Sequence, residues 1–192
     1  MLVSQFDISD VLLFTPRHIG DQRGYFSETF RADFFAAHCG DYTFLQDNES
    51  FSARQGTIRG LHFQCPPHAQ GKLVRCTAGA LFDVAVDIRD GSPTRGQWCG
   101  ATLTPENGKQ LWVPPGFAHG FCSLVPNTVI CYKVTDYYSG ECDKGLAWND
   151  PEIGIQWPAE DDLETLSDKD RVQPSMAELP SYFQFLKSVE GE

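Results

Sequence analysis

Three side chains stand out because their chemistry disagrees with the pattern around them. His62 lies in the strand-like run Gly56–Phe63 and, under strict alternation, shares a face with Ile58. Lys72 begins the run Lys72–Thr77 and shares a face with Val74 and Cys76, while Tyr132 sits between Ile130 and Val134 in the run Thr128–Asp136. Polar groups on apolar strand faces need partners or a ligand once buried. An imidazole titrates near neutrality and suits proton transfer. A lysine is almost never fully buried without a purpose. His62 and Lys72 also fall within a cationic window: residues Ser50 to Phe82 hold Arg54, Arg59, Lys72 and Arg75 and no Asp or Glu. The chain as a whole is acidic, with 15 Lys+Arg against 26 Asp+Glu and a net charge of -11. A positive zone in an acidic protein points to an anionic small molecule held at one place. The overall charge argues against nucleic acid, whose phosphates would be repelled.

The elements that must position these groups are short strands. Runs rich in Val, Ile, Phe and Thr and broken by Gly or Pro occur at Val11–Phe14, Tyr25–Phe30, Gly56–Phe63, Lys72–Thr77, Ala80–Ile88, Gly96–Thr104, Gln110–Val113, Gly120–Leu124, Thr128–Asp136 and Gly145–Trp148. Short strands at such spacing predict a sandwich or barrel. In Ala80–Ile88 the alternation is clean, with Phe82, Val84, Val86 and Ile88 on one face and Asp83, Ala85 and Asp87 on the other. Ala78-Gly79 reads as a hairpin turn. One helix is expected near Phe30–His38, stopped by Gly40, and a second near Ser175–Lys187, interrupted at Pro180. Arg59 and His62 fall on opposite faces, so a pocket lined by both requires a bulge, and Gly60 is where it would sit.

The 192 residues, 41% apolar, suit one domain with a real core. That domain spans residues 1–192, with a barrel core at about 10–158 and a C-terminal segment 159–192 that completes the site. Unbroken apolar runs reach only four residues, as in Val11–Phe14, so neither a membrane helix nor a signal-peptide core is expected. The cysteines (Cys39, Cys65, Cys76, Cys99, Cys122, Cys131 and Cys142) are odd in number and irregular in spacing, which reads as reduced thiols in a cytoplasmic protein.

The segment Pro114-Pro115-Gly116-Phe117-Ala118-His119-Gly120 resembles the second motif of the cupin superfamily, which implies a small all-β jelly-roll barrel with a few short helices. Many cupins hold a metal with this His, an H-x-H pair and a Glu. Here the first segment reads His62-Phe63-Gln64 and no Glu follows until Glu106, so no metal site is expected. A closer resemblance is to the dTDP-4-dehydrorhamnose 3,5-epimerase family. Asp21-Gln22-Arg23-Gly24-Tyr25-Phe26-Ser27-Glu28, Gln46-Asp47-Asn48-Glu49-Ser50, Gly56-Thr57-Ile58-Arg59-Gly60-Leu61-His62-Phe63-Gln64 and Gln70-Gly71-Lys72-Leu73-Val74-Arg75 are similar to its motifs. So are Asp83–Arg89, Leu111–Pro114, Gly116–Phe121, Tyr132-Lys133, Trp148-Asn149-Asp150 and Leu166–Asp170, in family order. Glu49 departs from the common family residue, which bears on substrate choice.

The resemblance implies epimerisation of a nucleotide-linked 4-keto sugar, whose C3 and C5 hydrogens are acidic because both lie alpha to the carbonyl. That chemistry asks for a base, an acid on the other face and a positive group at the enolate oxygen, with no redox cofactor or metal. The family pattern pairs His62 as base with Asp170, takes Tyr132 as acid and suits Lys72 to the enolate oxygen, with Asp83 as a counter-ion for Lys72. It implies substrate binding by Arg23, Glu28, Gln46, Asp47, Asn48, Arg59, His119, Asp143 and Lys169, with Phe26 and Tyr138 as stacking surfaces. Arg is the residue of choice for diphosphate oxygens. A homodimer is implied as well. Alternatives are an epimerase acting at C3 or C5 alone, a metal-dependent cupin, and a catalytically silent sugar-binding module.

Overall fold

Alternation along the strands builds the fold. In this computed structural model, which describes residues 1–8, 10–158 and 165–186, the strands in chain order are β1 (Leu2–Gln5), β2 (Leu12–Thr15), β3 (Ile19–Asp21), β4 (Gly24–Phe26), β5 (Gln46–Ser52), β6 (Ile58–Gln64), β7 (Lys72–Ala78), β8 (Leu81–Asp87), β9 (Trp98–Leu103), β10 (Gln110–Val113), β11 (Phe117–Ser123), β12 (Thr128–Val134) and β13 (Asp143–Gly145). A single α-helix among the described residues, α1 (Ala32–Cys39), follows β4. Six strands form one antiparallel sheet in the order β1-β2-β10-β7-β12-β5, and five form the other in the order β13-β6-β11-β8-β9. The small pair β3-β4 stands apart from both. This is the cupin-type jelly roll that the sequence implied.

The core lies between the two sheets. Val74, Cys76, Leu111, Val113 and Ile130 from the six-stranded sheet meet Leu81, Ala85, Leu103, Phe117 and Phe121 from the five-stranded one. The opposite faces are covered in turn, as amphipathic layers require. Leu73 and Trp112 pack against Phe35 of α1, while Leu61, Phe63, Val84, Val86 and Ile88 pack against Leu146, Ile153, Met176 and Leu179. Each such side chain contributes about 1.5–3 kcal/mol when fully buried.

Several expectations are corrected. Ala78-Gly79 does not close a hairpin: β7 belongs to the six-stranded sheet and β8 to the five-stranded one, so the turn carries the chain across the barrel. Thr128 Oγ1 holds the crossing by donating to the carbonyl of Ala80 at 3.1 Å. The predicted strand Tyr25–Phe30 is shorter and shifted, confined to β4, and Gly145–Trp148 pairs only as β13. The polar run Gln46–Ser52 forms β5, an edge strand whose apolar content is too low to signal it. The helix near Phe30–His38 is α1, ended by Gly40 at φ 93.

No helix forms at 175–186, and Lys187, the predicted end, lies outside the described residues. The backbone there is already engaged. Asp90 N–H donates to the Phe183 carbonyl and Phe185 N–H donates to the Asp90 carbonyl, each at 2.9 Å. Tyr182 and Phe183 set their rings edge-on against Phe63. Pro180 also lacks the backbone N–H that a helix interior needs at its position.

The bulge expected at Gly60 is present. His119 pairs with His62 and Phe121 with Arg59, so Gly60 and Leu61 together oppose Gly120. Alternation resets there. Arg59 joins His62 on the inner side, whereas Ile58, opposite Cys122, packs with Cys122, Trp148 and Leu166. Gly60 has φ 134, and a Cβ there would lie 2.6 Å from Gly120 Cα. Gly60→Ala is therefore expected to destabilise the fold by at least about 2 kcal/mol from backbone strain and overpacking. Denaturant titration measures this; a midpoint unchanged from wild type would remove the bulge from the account.

Candidate active site

A cavity of about 410 Å³ opens between the sheets, and His62, Lys72, Tyr132, Arg59, His119 and Asp170 all line it. The strands dictate which side each enters from. His62 and Arg59 project from β6 and His119 from β11 in the five-stranded sheet, whereas Lys72 and Tyr132 project from β7 and β12 in the six-stranded sheet.

His62 Nε2 lies 2.5 Å from Asp170 Oδ1, a contact spanning 108 residues of chain. Asp170 begins the 3-10 turn Asp170–Val172 and is buried. Burial raises its carboxyl pKa, but hydrogen bonds to His62 and Ser167 and the charge of His62 outweigh burial and leave it below the ordinary value. An ionised carboxylate only accepts, so Nε2 carries a hydrogen, and in the neutral imidazole the lone pair is on Nδ1.

Lys72 is buried, and its Nζ donates to the carbonyl of His62 at 3.2 Å. Burial pushes its pKa down to about 8, against the opposing fields of Asp143 and Asp83. Asp83, the expected counter-ion for Lys72, acts on it at a distance rather than as a contact ion pair. The Asp83 carboxylate instead accepts from His119 Nε2 at 2.8 Å and acts on Lys72 through its field. Burial lowers the His119 pKa and Asp83 opposes that shift. The second Asp83 oxygen, Oδ2, is buried without a hydrogen bond. Tyr132 is half-buried; burial raises its phenol pKa, Arg59 lowers it, and Asp143 raises it further.

Within electrostatic reach of Lys72, Tyr138 donates its phenol hydrogen to Asp143 Oδ2 at 3.2 Å, and Lys169 forms an ion pair with the same oxygen. Gln46 accepts from the Tyr138 N–H at 3.2 Å and donates to Asn48 Oδ1 at 2.8 Å. Asn48 lies directly across from Tyr132. Arg59 donates to the Phe51 carbonyl at 2.9 Å.

Of the expected binding residues, Arg59 and His119 line the cavity; Gln46, Asn48, Tyr138, Asp143 and Lys169 lie outside its lining, and four others are exposed or engaged elsewhere. Arg23 and Phe26 stand exposed on the β3-β4 hairpin, and the Arg23 side chain, 84% accessible, is paired with Asp21. Glu28 follows them and is exposed. Asp47 points to the opposite face of β5, where it pairs with Lys133 at 2.9 Å. Glu49 points the same way, toward Cys131. Sequence reasoning missed Ser50, Phe121, Thr165 and Ser167, which line the cavity. Ser50 was legible as the next inward position after Gln46 and Asn48. Thr165 and Ser167 carried no signal beyond their nearness to Asp170.

Gln64 stands where the cupin motif has its second His. Its amide is spent on backbone, donating to the carbonyls of His68 at 2.7 Å and Tyr137 at 3.1 Å. Among the described residues no three His, Cys, Asp or Glu side chains converge as a metal site.

The arrangement offers a carboxylate-oriented imidazole on one wall and a buried ammonium and a phenol on the other, which suits proton transfer at carbon next to a carbonyl. Fold and site together define the class, a cupin-type isomerase. A family model described as dTDP-4-dehydrorhamnose 3,5-epimerase matches residues 5–178, and the chain belongs to that family. It is 59% identical over 187 residues to the dTDP-4-dehydrorhamnose 3,5-epimerase of Sinorhizobium fredii, covering 97% of this chain and 95% of that one. Its fold is similar to the crystal structure of dTDP-6-deoxy-D-glucose-3,5-epimerase from Legionella pneumophila in complex with dTDP-4-keto-L-rhamnose. The TM-score is 0.91 at 40% identity, over 96% of this chain and 98% of that one. The dTDP-4-dehydrorhamnose 3,5-epimerase of Bacillus anthracis, with TDP and PPi bound, gives a TM-score of 0.86 at 48% identity over 91% and 98% of the two chains.

The depressed Lys72 pKa means that folding works against a charged ammonium. Below pH 8 that penalty is complete; between about 8 and the free-lysine value of about 10.4 it fades as the folded state releases the proton. Lys72→Met is therefore expected to stabilise the fold at pH 7 by roughly 1–3 kcal/mol, with a gain that shrinks as pH rises from 8 to 10. Thermal denaturation across that range checks it. A variant less stable than wild type at pH 7 would mean that Lys72 is held by more than the contacts described.

Proposed function

We propose that this protein inverts C3 and C5 of dTDP-4-keto-6-deoxy-D-glucose to give dTDP-4-keto-L-rhamnose. The observation that carries the reading is that the candidate base and acid stand on facing sheets of one cavity. A base and an acid on opposite walls can address opposite faces of a sugar ring, as inversion demands.

In this reading His62 Nδ1 removes the proton alpha to the 4-keto group, and Asp170 supports the imidazolium that forms. The electron pair moves onto the carbonyl oxygen, where the Lys72 ammonium stabilises the enolate. Tyr132 then delivers its phenol proton to the carbon from the other side, which leaves a phenolate, and solvent exchange resets both groups. The raised Tyr132 pKa keeps the phenol protonated before the step. His119, whose Nε2 donates to Asp83, turns its Nδ1 acceptor to the site, and no metal takes part.

The nucleotide-diphosphate portion lies toward Arg59, Gln46, Asn48, Tyr138, Asp143 and Lys169. Arg23, Phe26 and Glu28 cannot serve the cavity of their own chain. A homodimer in which the exposed hairpin reaches a second copy gives them, and Asp47, a role. In this reading the C-terminal segment completes the site of a single domain, which the cavity-lining positions of Asp170, Thr165 and Ser167 support. Seven unpaired cysteines support a reducing, cytoplasmic setting. No described helix is long and apolar enough to cross a membrane.

The test is incubation with dTDP-4-keto-6-deoxy-D-glucose in D2O, followed by NMR. Wild type should form inverted product carrying deuterium at C3 and C5; no exchange at either carbon would sink the reading. His62→Asn should lose ~10²–10⁴-fold in exchange at both carbons. Tyr132→Phe should wash deuterium into recovered substrate faster than it makes inverted product, because the imidazolium returns the proton to the original face. Equal loss of exchange and inversion would end the two-wall assignment. Activity should also survive exhaustive chelation, whereas loss with recovery on adding a divalent cation would reinstate a metal.

A further inference from the structure

Gln64 lies on β6 two residues beyond His62, directly opposite Asp143 of β13. It is 4% exposed, and its amide makes three hydrogen bonds, all to backbone. Nε2 donates to the carbonyls of His68 at 2.7 Å and Tyr137 at 3.1 Å, and Oε1 accepts from the N–H of Ser139 at 2.7 Å. Both amide hydrogens are thereby used. The bonds to Tyr137 and Ser139 bracket Tyr138 on its two sides. Tyr138 itself is 64% exposed and has little packing to hold it. Its position rests on polar contacts: the Gln64 bracket, the bond from its N–H to Gln46, and the bond from its phenol to Asp143.

We infer that Gln64 is a positioning residue that acts through Tyr138, beside Asp143 and Lys169, to set where the nucleotide portion of the substrate binds. This rests on the epimerase reading above for the identity of that ligand. Gln64 touches neither Lys72 nor the His62–Asp170 pair by a side-chain hydrogen bond, so its effect falls on binding rather than on proton transfer. A buried amide of this kind is also a poor filler. An apolar residue of similar size would pack as well but would leave two carbonyls and one N–H without partners.

The decisive variant is Gln64→Glu, which keeps the volume and the acceptor toward Ser139 but sets a carboxylate oxygen against the carbonyls of His68 and Tyr137. KM for the nucleotide sugar is expected to rise about ten-fold while kcat stays within a few-fold. Affinity for dTDP alone, measured by calorimetry, should fall by a similar factor. In a Tyr138→Ala background most of that change should vanish, because two steps of one chain of contacts do not add. Gln64→Met, which removes the hydrogen bonds without adding charge, must act in the same direction, and it serves alone if the carboxylate variant does not fold. Unchanged dTDP affinity in a folded variant, a loss confined to kcat, or full additivity with Tyr138→Ala would each overturn the inference. Wild type that binds dTDP in a Gln64-dependent way yet turns over no 4-keto sugar would sink the epimerase reading and leave the positioning role standing.

Discussion

The contact between His62 and Asp170 is the interaction on which the rest of the site depends. A carboxylate buried as deeply as Asp170 is costly unless its charge is met, and His62 and Ser167 meet it. Because the partners are 108 residues apart, satisfying that charge brings the chain around Asp170 back to the cavity. Thr165, Leu166 and Ser167 arrive with it and form part of the cavity wall. The same bond assigns the imidazole hydrogen to Nε2 and frees Nδ1. One electrostatic requirement thus brings these residues to the cavity wall and orients the imidazole together.

Around that contact the barrel keeps charges where a hydrocarbon core would be more stable. Lys72 occupies an inward position continuous with Val74 and Cys76, and burial lowers its pKa to about 8. No carboxylate forms a close ion pair with it among the described residues. Asp83 is occupied by His119, and Asp143 by Lys169 and Tyr138. An ammonium held by fields and one carbonyl, rather than by a bound carboxylate, remains free to respond to charge that develops on a substrate oxygen. The exposed Gln46–Ser52 edge follows the same logic: Gln46, Asn48 and Ser50 face inward, and the strand gives up apolar burial to do so.

What the sequence by itself determined was the identity of the inward polar groups. Period-two alternation placed Lys72 and Tyr132 on their faces, and the need for Arg59 and His62 in one pocket located the bulge at Gly60, because only an inserted residue restores a shared face. Motif order named Asp170, which pattern alone would have left among the acidic residues near it. The tertiary structure decided what alternation cannot encode. Ala78-Gly79 looked like a hairpin because a turn signal is local, whereas the choice of sheet for the next strand depends on distant partners such as Thr128. Asp83 looked like a partner for Lys72, but that choice turned on which cation lay within reach after β8 and β11 paired. Residues 175–186 carried no local sign of an extended path; their backbone bonds go to Asp90 and their aromatics to Phe63, both remote in sequence. Arg23, Phe26 and Glu28 mark the far limit, since a sequence motif does not encode where its residues stand relative to a cavity built by distant strands.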